Sequence, residues 1–381
     1  MNLLIHDLGP ELPDRIREEY DGWTVISDNG TILPCTGCFC CWHKTPGQCI
    51  LRDGYEHMGT LIHRAEEVTV ISRYTYGGFS AFVKNIFDRS LGYVLPQFEI
   101  VKGETHHKKR YEEEKPFTFI FYGTGLDEEK KQCAARYVRA VCTNIRGYIK
   151  DLVFRECDGS FVPVPRPQPE TAKKVLLLNG SERSVNGNSA KLAARLLKML
   201  NKEAESIALK QYAGSLQDLF PLLDAASDLV LCMPLYVDGL PSQVIRFMEC
   251  ARHEYHGPSK RVYVLANMGL YEAGQLENLF EAVRQWCGVI QFEYCGGLGL
   301  SAGEFIGVMA NTLPFTAGPL KTVGLGLQKL AGAIDTGTPL QEVYTSPRFL
   351  PRPLFVFIAN QSWNGEARRN GIRPADLYRR L

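Results

Sequence analysis

The sequence predicts two α/β domains in tandem, each a doubly wound parallel sheet with helices on both faces. Three observations lead there. The chain has 381 residues, more than one hydrophobic core usually organises. Short runs of Val, Leu and Ile alternate with helix-length segments, which is the pattern of parallel βαβ units. That alternation occurs twice, on either side of Phe161-Val162-Pro163-Val164-Pro165-Arg166-Pro167-Gln168-Pro169. Prolines at alternate positions read as an extended, semi-rigid linker. The division is therefore residues 1–160, a linker over 161–172, and residues 173–381 with a C-terminal extension.

In the first domain, residues 3–8 read as a strand, 11–20 as a helix and 23–27 as a second strand. A cysteine-rich loop and a helix over 55–65 lead to a buried strand at 67–72. A glycine loop, a helix over 80–90, a strand at 117–122, a helix over 128–145 and a strand at 152–154 follow. In the second domain the strands are expected at 174–179, 206–209, 228–233, 262–266 and 290–294. Helices are expected at 189–200, 216–226, 242–251 and 275–287, and a further apolar helix at 318–334. In such folds a ligand sits beyond the carboxyl ends of the strands, where strand order reverses. The loops after each domain's first, third and fourth strands are the places to look.

Composition narrows the function. Lys and Arg number 43 against 42 Asp and Glu, a balance that gives no footprint for nucleic acid or an anionic membrane. The opening residues reach Asp7 before any long apolar stretch, so no signal peptide is read. No segment approaches the roughly 20 apolar residues of a membrane span. A cytoplasmic protein with no nucleic-acid or membrane partner is expected. Of the 12 cysteines, Cys35, Cys38, Cys40, Cys41 and Cys49 crowd one stretch, which suggests thiols or metal ligands over a disulfide scaffold. The run from Thr105 to Glu114 reads as a solvated loop, and Trp42 and Trp286 as core or interface residues.

In the second domain the first loop runs from Asn179 to Ser189 and carries Ser181, Arg183, Asn188 and Ser189. Small donors converging on a helix N-terminus, with an arginine, suit a phosphate. The alternative is plain helix capping by Asn188 or Ser189, which explains neither the loop's length nor Arg183. The loop is neither a P-loop nor a dinucleotide fingerprint. The second loop holds Pro234, Leu235, Tyr236 and Val237, and the third Asn267, Met268, Gly269 and Tyr271. Backbone-exposing residues with one aromatic in each suit a planar ring edged by main-chain donors.

With these three loops the second domain resembles the NADPH-dependent FMN reductase family, a flavodoxin-like group that includes quinone reductases and iron–sulfur flavoproteins. The signatures are Gly180-Ser181-Glu182-Arg183 with Asn188-Ser189, then Pro234-Leu235-Tyr236-Val237, then Asn267-Met268-Gly269 with Tyr271. The resemblance implies FMN, its phosphate in the first loop and its ring against the other two. The tail from Ala359 to Tyr378 resembles the endings of multi-domain members.

The first domain resembles the same group in a complementary way. Cys35, Cys38, Cys41 and Cys49, with Asp53, match its cysteine-bearing loop, and Ser72 to Gly78 with Lys84, Asp88 and Arg89 match its third-strand loop and helix. The phosphate loop is missing: after the first strand come Glu11 and Asp14, which repel a phosphate. A second FMN is not expected. For the cysteines a metal-free loop is the preferred reading, with an iron–sulfur cluster or zinc as alternatives. The complementary deficits suggest a pseudo-dimer of the two domains, or a homodimer. The expected function is an FMN-dependent oxidoreductase taking electrons from NAD(P)H to a small acceptor such as a quinone or flavin. No catalytic side chain is named, because the cofactor carries the chemistry. The rival is a flavodoxin-like electron carrier.

Overall fold

The computed structural model describes residues 1–9, 11–158, 165–167, 174–183 and 187–381. Most of the linker read at 161–172, and residues 184–186 of the expected phosphate loop, lie outside the described residues. The chain forms two compact units: Met1–Phe161 with Pro353–Leu381, and Val162–Arg352.

The first unit runs β1 (Leu3–His6), α1 (Asp14–Glu19), β2 (Thr24–Ser27), α2 (Cys40–His43), α3 (Met58–Arg64), β3 (Val68–Arg73) and α4 (Ala81–Arg89). It continues with β4 (Val94–Val101), β5 (Glu104–Lys109), β6 (Lys115–Gly123), α5 (Glu128–Asn144) and β7 (Gly147–Glu156). The sheet order is β2-β1-β3-β6-β7, and every pairing in it is parallel. Numbered within the sheet this is 2-1-3-4-5, the flavodoxin-like order. Leu3, Leu4, Ile5, Val68, Val70 and Ile71 are all buried, as strands covered on both faces must be.

The second unit comprises β8 (Lys174–Asn179), α6 (Asn188–Leu197), β9 (Ala204–Ala208), α7 (Phe220–Ala225), β10 (Ala226–Pro234), α8 (Ser242–Glu254) and β11 (Arg261–Asn267). It continues with α9 (Glu277–Ile290), β12 (Glu293–Leu300), α10 (Gly303–Met309), α11 (Lys321–Thr336) and β13 (Val343–Thr345). Its order, β9-β8-β10-β11-β12-β13, repeats 2-1-3-4-5 and adds a sixth parallel strand. The expected strand at 290–294 is displaced: α9 runs on to Ile290 and β12 begins at Glu293. Gly296 and Gly297 mask its strand character, yet they are needed there. A Cβ on Gly297 would run into the carbonyl of Val264, and one on Gly296 into that of Leu340.

Two expectations for the first unit need correction. The 105–114 stretch is not a solvated loop. β4 and β5 form an antiparallel hairpin whose turn, Lys102 and Gly103, has φ of 51° and 90°, the geometry of a tight two-residue turn. Thr105, His106, Arg110 and Tyr111 are buried. His107 lies 4.6 Å from the Trp42 ring and 4.8 Å from Phe98. The buried Arg110 guanidinium donates to the carbonyls of Gly92, Leu377 and Arg379, each at 2.7 Å. Those acceptors replace the water an arginine would otherwise need.

The second correction concerns the tail, which groups with the first unit, not with residues 173–352. Within α12 (Arg352–Arg369), Asn360 accepts from the Phe98 amide at 2.7 Å and donates to its carbonyl at 3.1 Å. A side-chain amide thus occupies backbone groups that a free hairpin edge would expose. Trp363 meets Trp42 and Phe39 edge-on, at 5.3 and 5.5 Å. Trp42 itself is a core residue, its indole donating to the carbonyls of Leu91 and Val94. Trp286 is likewise buried, donating to Met248. The helix read at 318–334 is α11, and its Leu327 and Leu330 pack into the second unit's core.

Burial lowers the His107 pKa from 6.5 to about 4. Between those values the unfolded chain takes up a proton that the folded unit refuses. Stability of the first unit should therefore fall as pH drops from 6.5 towards 4. His107→Phe should flatten that slope, measured by urea unfolding across the window.

Candidate functional site

Parallel strands end on one edge, so the loops after β8, β10 and β11 are brought together by the sheet itself. Strand order reverses between β8 and β10, and a crevice opens there. Hydrogen bonds tie the three loops around it. Asn267 donates to the Ser189 hydroxyl at 2.7 Å and to the Met233 carbonyl at 3.3 Å. The Leu235 amide donates to the Asn267 carbonyl at 2.8 Å. Gln243, at the start of α8, donates to the Gly180 carbonyl at 2.8 Å.

The expected phosphate-binding residues lie on the first loop and the first turn of α6. Ser181 is buried, and its amide donates to the Asn179 side chain at 3.0 Å. Gly187 is the N-cap of α6, and among the described residues no side chain caps it. The capping alternative is thus corrected: Asn188 and Ser189 lie inside the helix, Ser189 is turned to Asn267, and the Asn188 amide oxygen lies against Gly307 of α10. The first-turn N–H groups of an α-helix have no intrahelical acceptors, and this end carries positive partial charge. Arg183 is half-exposed and paired with Glu304 of α10 at 3.3 Å.

The second loop is a tight turn closed by a Tyr236–Gly239 bridge. Val237 and Asp238 have φ of 34° and 58°, a conformation rare for a β-branched residue. Pro234 ends β10, and Met268 donates its amide to the Leu300 carbonyl. Open space lies on the Cβ side of Gly269. Tyr271 is turned elsewhere: its hydroxyl donates to the Leu350 carbonyl at 2.9 Å, and beside it Glu272 pairs with Arg352. The distal half of the third loop is therefore fastened to the 350–352 segment.

Sequence reasoning missed Gln243, Ser301, Glu304 and the burial of Glu182. Gln243 Oε1 and Ser301 Oγ are buried without a hydrogen-bond partner among the described residues. Gln243 lies in the first turn of α8 and Ser301 directly after β12, and such orphaned atoms suit an acceptor or donor from outside the chain. Glu182 could have been flagged inside its own motif. Nothing near Arg183 in sequence points to Glu304.

The equivalent strand end of the first unit carries a carboxylate. Asp7 follows β1 as Gly180 follows β8, and each donates its amide to the neighbouring strand, to Ile71 and Cys232 respectively. Gly180 has no side chain, and a Cβ there would collide with Val244. Asp7 places a carboxylate in that position, accepting from the Arg73 amide at 3.2 and 3.0 Å.

The cysteine loop is held by the polar face of α4. Asn85 accepts from the Cys35 amide, and Arg89 makes two bonds to Asp53, at 2.7 and 2.8 Å, and one to Cys49 Sγ at 3.1 Å. Although burial opposes it, Arg89 and the Leu33 and Tyr55 amides hold Asp53 down to about 2. Burial pushes the Cys35 thiol up to about 12 and Cys41 well above its ordinary value. Burial also opposes ionisation of Cys38, but hydrogen bonds from Thr36 and the Cys40 backbone outweigh it and lower its pKa. Among the described residues no three His, Cys, Asp or Glu side chains are placed to hold a metal ion. No helix there is long and apolar enough to cross a membrane.

Burial raises the Glu182 carboxyl pKa, with Lys210 opposing. The unfolded chain ionises this group first, so its contribution falls as pH rises from 4.5 towards the folded value. Glu182→Gln should therefore unfold at higher urea than the parent at pH 7, the gap closing below pH 4.5.

No protein-family model matches the chain, and no curated protein does. Among solved structures it is similar to an FMN-dependent NADH-azoreductase from Bacillus anthracis str. Ames Ancestor in complex with FMN, at 12% identity and a TM-score of 0.33, over 43% of this chain and 100% of that one. It is also similar to the Trp repressor binding protein from Bacillus subtilis, at 19% identity and a TM-score of 0.29, over 33% and 83% of the two chains. A flavone reductase matches at 13% identity and a TM-score of 0.31, over 45% and 66%. These likenesses are too slight to carry an argument, and the fold rests on the strand order described above.

Proposed function

We propose that the second unit binds FMN in the β8–β10 crevice and that the protein passes electrons from NADH or NADPH through it to a small acceptor, such as a quinone or a flavin. The observation that carries this reading is the N-terminus of α6. It follows the first strand at the reversal of strand order, on the segment that carries Ser181, Arg183, Asn188 and Ser189, and among the described residues no side chain caps it. That is a ready anion site. When bound, FMN supplies hydride acceptance and onward electron delivery.

The chain's own part is to bind and orient. Ser181, Ser189 and the first-turn amides would hold the phosphate, with Arg183 released from Glu304 to add charge. Pro234 to Val237 and Asn267 to Gly269 would edge the ring, with Tyr236 covering it. Tyr271 would act by anchoring its loop to Leu350. The buried, unpaired Gln243 Oε1 and Ser301 Oγ fit a ligand that brings its own donors and acceptors. In the first unit the Asp7 carboxylate would repel a phosphate, so one FMN per chain is the expected load.

The test is a visible spectrum with FMN counted per chain, followed by anaerobic NADH or NADPH. A yellow protein with one FMN, bleached at turnover-relevant rates, supports the proposal. Two FMN per chain would overturn the reading of the first unit, and no bleaching with either nucleotide would overturn the enzyme. Arg183→Ala should weaken FMN binding by roughly tenfold or more, the range of one charge-assisted hydrogen bond.

A further inference from the structure

The first unit gathers a second set of cationic side chains, apart from the loops at its strand ends. A groove of about 450 Å³ opens between the β4–β5 hairpin, the end of α5 and the C-terminal residues. Its lining holds five cationic side chains and the carboxylates of Glu99 and Glu112, and Glu114 pairs with Lys109 at 2.9 Å. Three carboxylates thus face five cations, a local excess in a chain whose formal charge is +1.

Arg146 is the informative residue. It follows α5 at the position where a helix commonly ends in glycine, and its φ of 61° is one that side-chain-bearing residues rarely adopt. One guanidinium nitrogen pairs with Glu99 at 3.0 Å. The other two, Nε and Nη1, are buried and have no partner among the described residues. Buried donors are costly to leave unpaired, and a strained residue that persists invites a functional explanation. Across the groove, Arg380 pairs with Glu112 at 2.5 Å, so the tail brings a cation already half neutralised. Lys108 is half-buried on β5, and no hydrogen bond or ion pair of its ammonium is found among the described residues. Burial lowers the Arg110 pKa to about 10, the direction an incoming anion would reverse.

We propose that this groove binds a small, multiply charged anion of the phosphate class, with Arg146 and Lys108 as its principal contacts. Arg146 offers its unpartnered Nη1 hydrogens to a phosphate oxygen, with Nη2 beside them if the anion displaces Glu99, and Lys108 adds a point charge. The site does not depend on the flavin reading, because it lies wholly within the first unit.

The test is calorimetric titration of the full chain with sodium pyrophosphate, in a buffer free of phosphate and sulfate. One pyrophosphate per chain is expected at this groove, weakened about tenfold or more in Arg146→Gly and in Lys108→Ala. Arg146→Gly suits the left-handed backbone, so it should fold at least as well as the parent. The Arg146-dependent event should persist in Arg183→Ala, which removes only binding at the α6 terminus of the other unit. Absence of saturable binding would overturn the proposal, as would an isotherm insensitive to Arg146→Gly or one abolished by Arg183→Ala. Tighter binding of a single-stranded oligonucleotide, lost in the same two variants, would also overturn it in favour of a nucleic-acid surface.

Discussion

Parallel pairing is the constraint on which both units depend. Because the strands of each sheet run one way, every strand's carboxyl end lies on the same edge. Loops 50 to 90 residues apart in sequence therefore meet without any need to attract one another, as Ser189 and Asn267 do. The reversal between the first and third strands then opens a crevice in each unit. The residue just after the first strand differs between them. Gly180 has no side chain and lies close against Val244, whereas Asp7 carries a carboxylate bonded to the Arg73 amide. The same backbone position thus brings no charge to one strand end and a negative charge to the other.

The strained turn after the third strand needs a different explanation. Val237 and Asp238 in the second unit have counterparts in Tyr76 and Gly77, with φ of 49° and 86°, closed by a Thr75–Gly78 bridge. Since the turn recurs in both units, its geometry belongs to the fold and is not evidence for a ligand. What differs is cost. Gly77 adopts its conformation freely, while its counterpart Asp238 carries a side chain and is held there by burial. Strain alone would have pointed to both units; the helix terminus and the residue after the first strand separate them.

The strands were legible because burial on both faces leaves an unbroken apolar run, as in Val175 to Leu178. Loop positions followed from the strands, and so did most of the crevice residues. What stayed hidden depends on partners far away in sequence. Arg110 reads as a solvated charge until the carbonyls of Leu377 and Arg379, more than 260 residues on, are seen to accept from it. Glu304 is an ordinary surface acid until it is found 3.3 Å from Arg183. The tail has no local signal for the unit it joins, because Asn360 recognises backbone groups of Phe98 and not a side-chain pattern.

Buried polarity is handled in two ways. In the first, charge is satisfied from within: Lys84 with Asp88, Arg89 with Asp53, Arg110 with three carbonyls. Networks of this kind add little net stability, because desolvation offsets the attraction, but breaking one partner is destabilising. They suit a unit that must hold one arrangement, here the cysteine loop against α4. In the second way, buried polar atoms stay unsatisfied among the described residues, as in Gln97 of the first unit and Gln243 and Ser301 of the second. Such atoms persist at a cost, which a ligand in the crevice would relieve for Gln243 and Ser301. Arg146 is a case in the first unit: two of its guanidinium nitrogens are buried without a partner among the described residues, beside an unpaired Lys108.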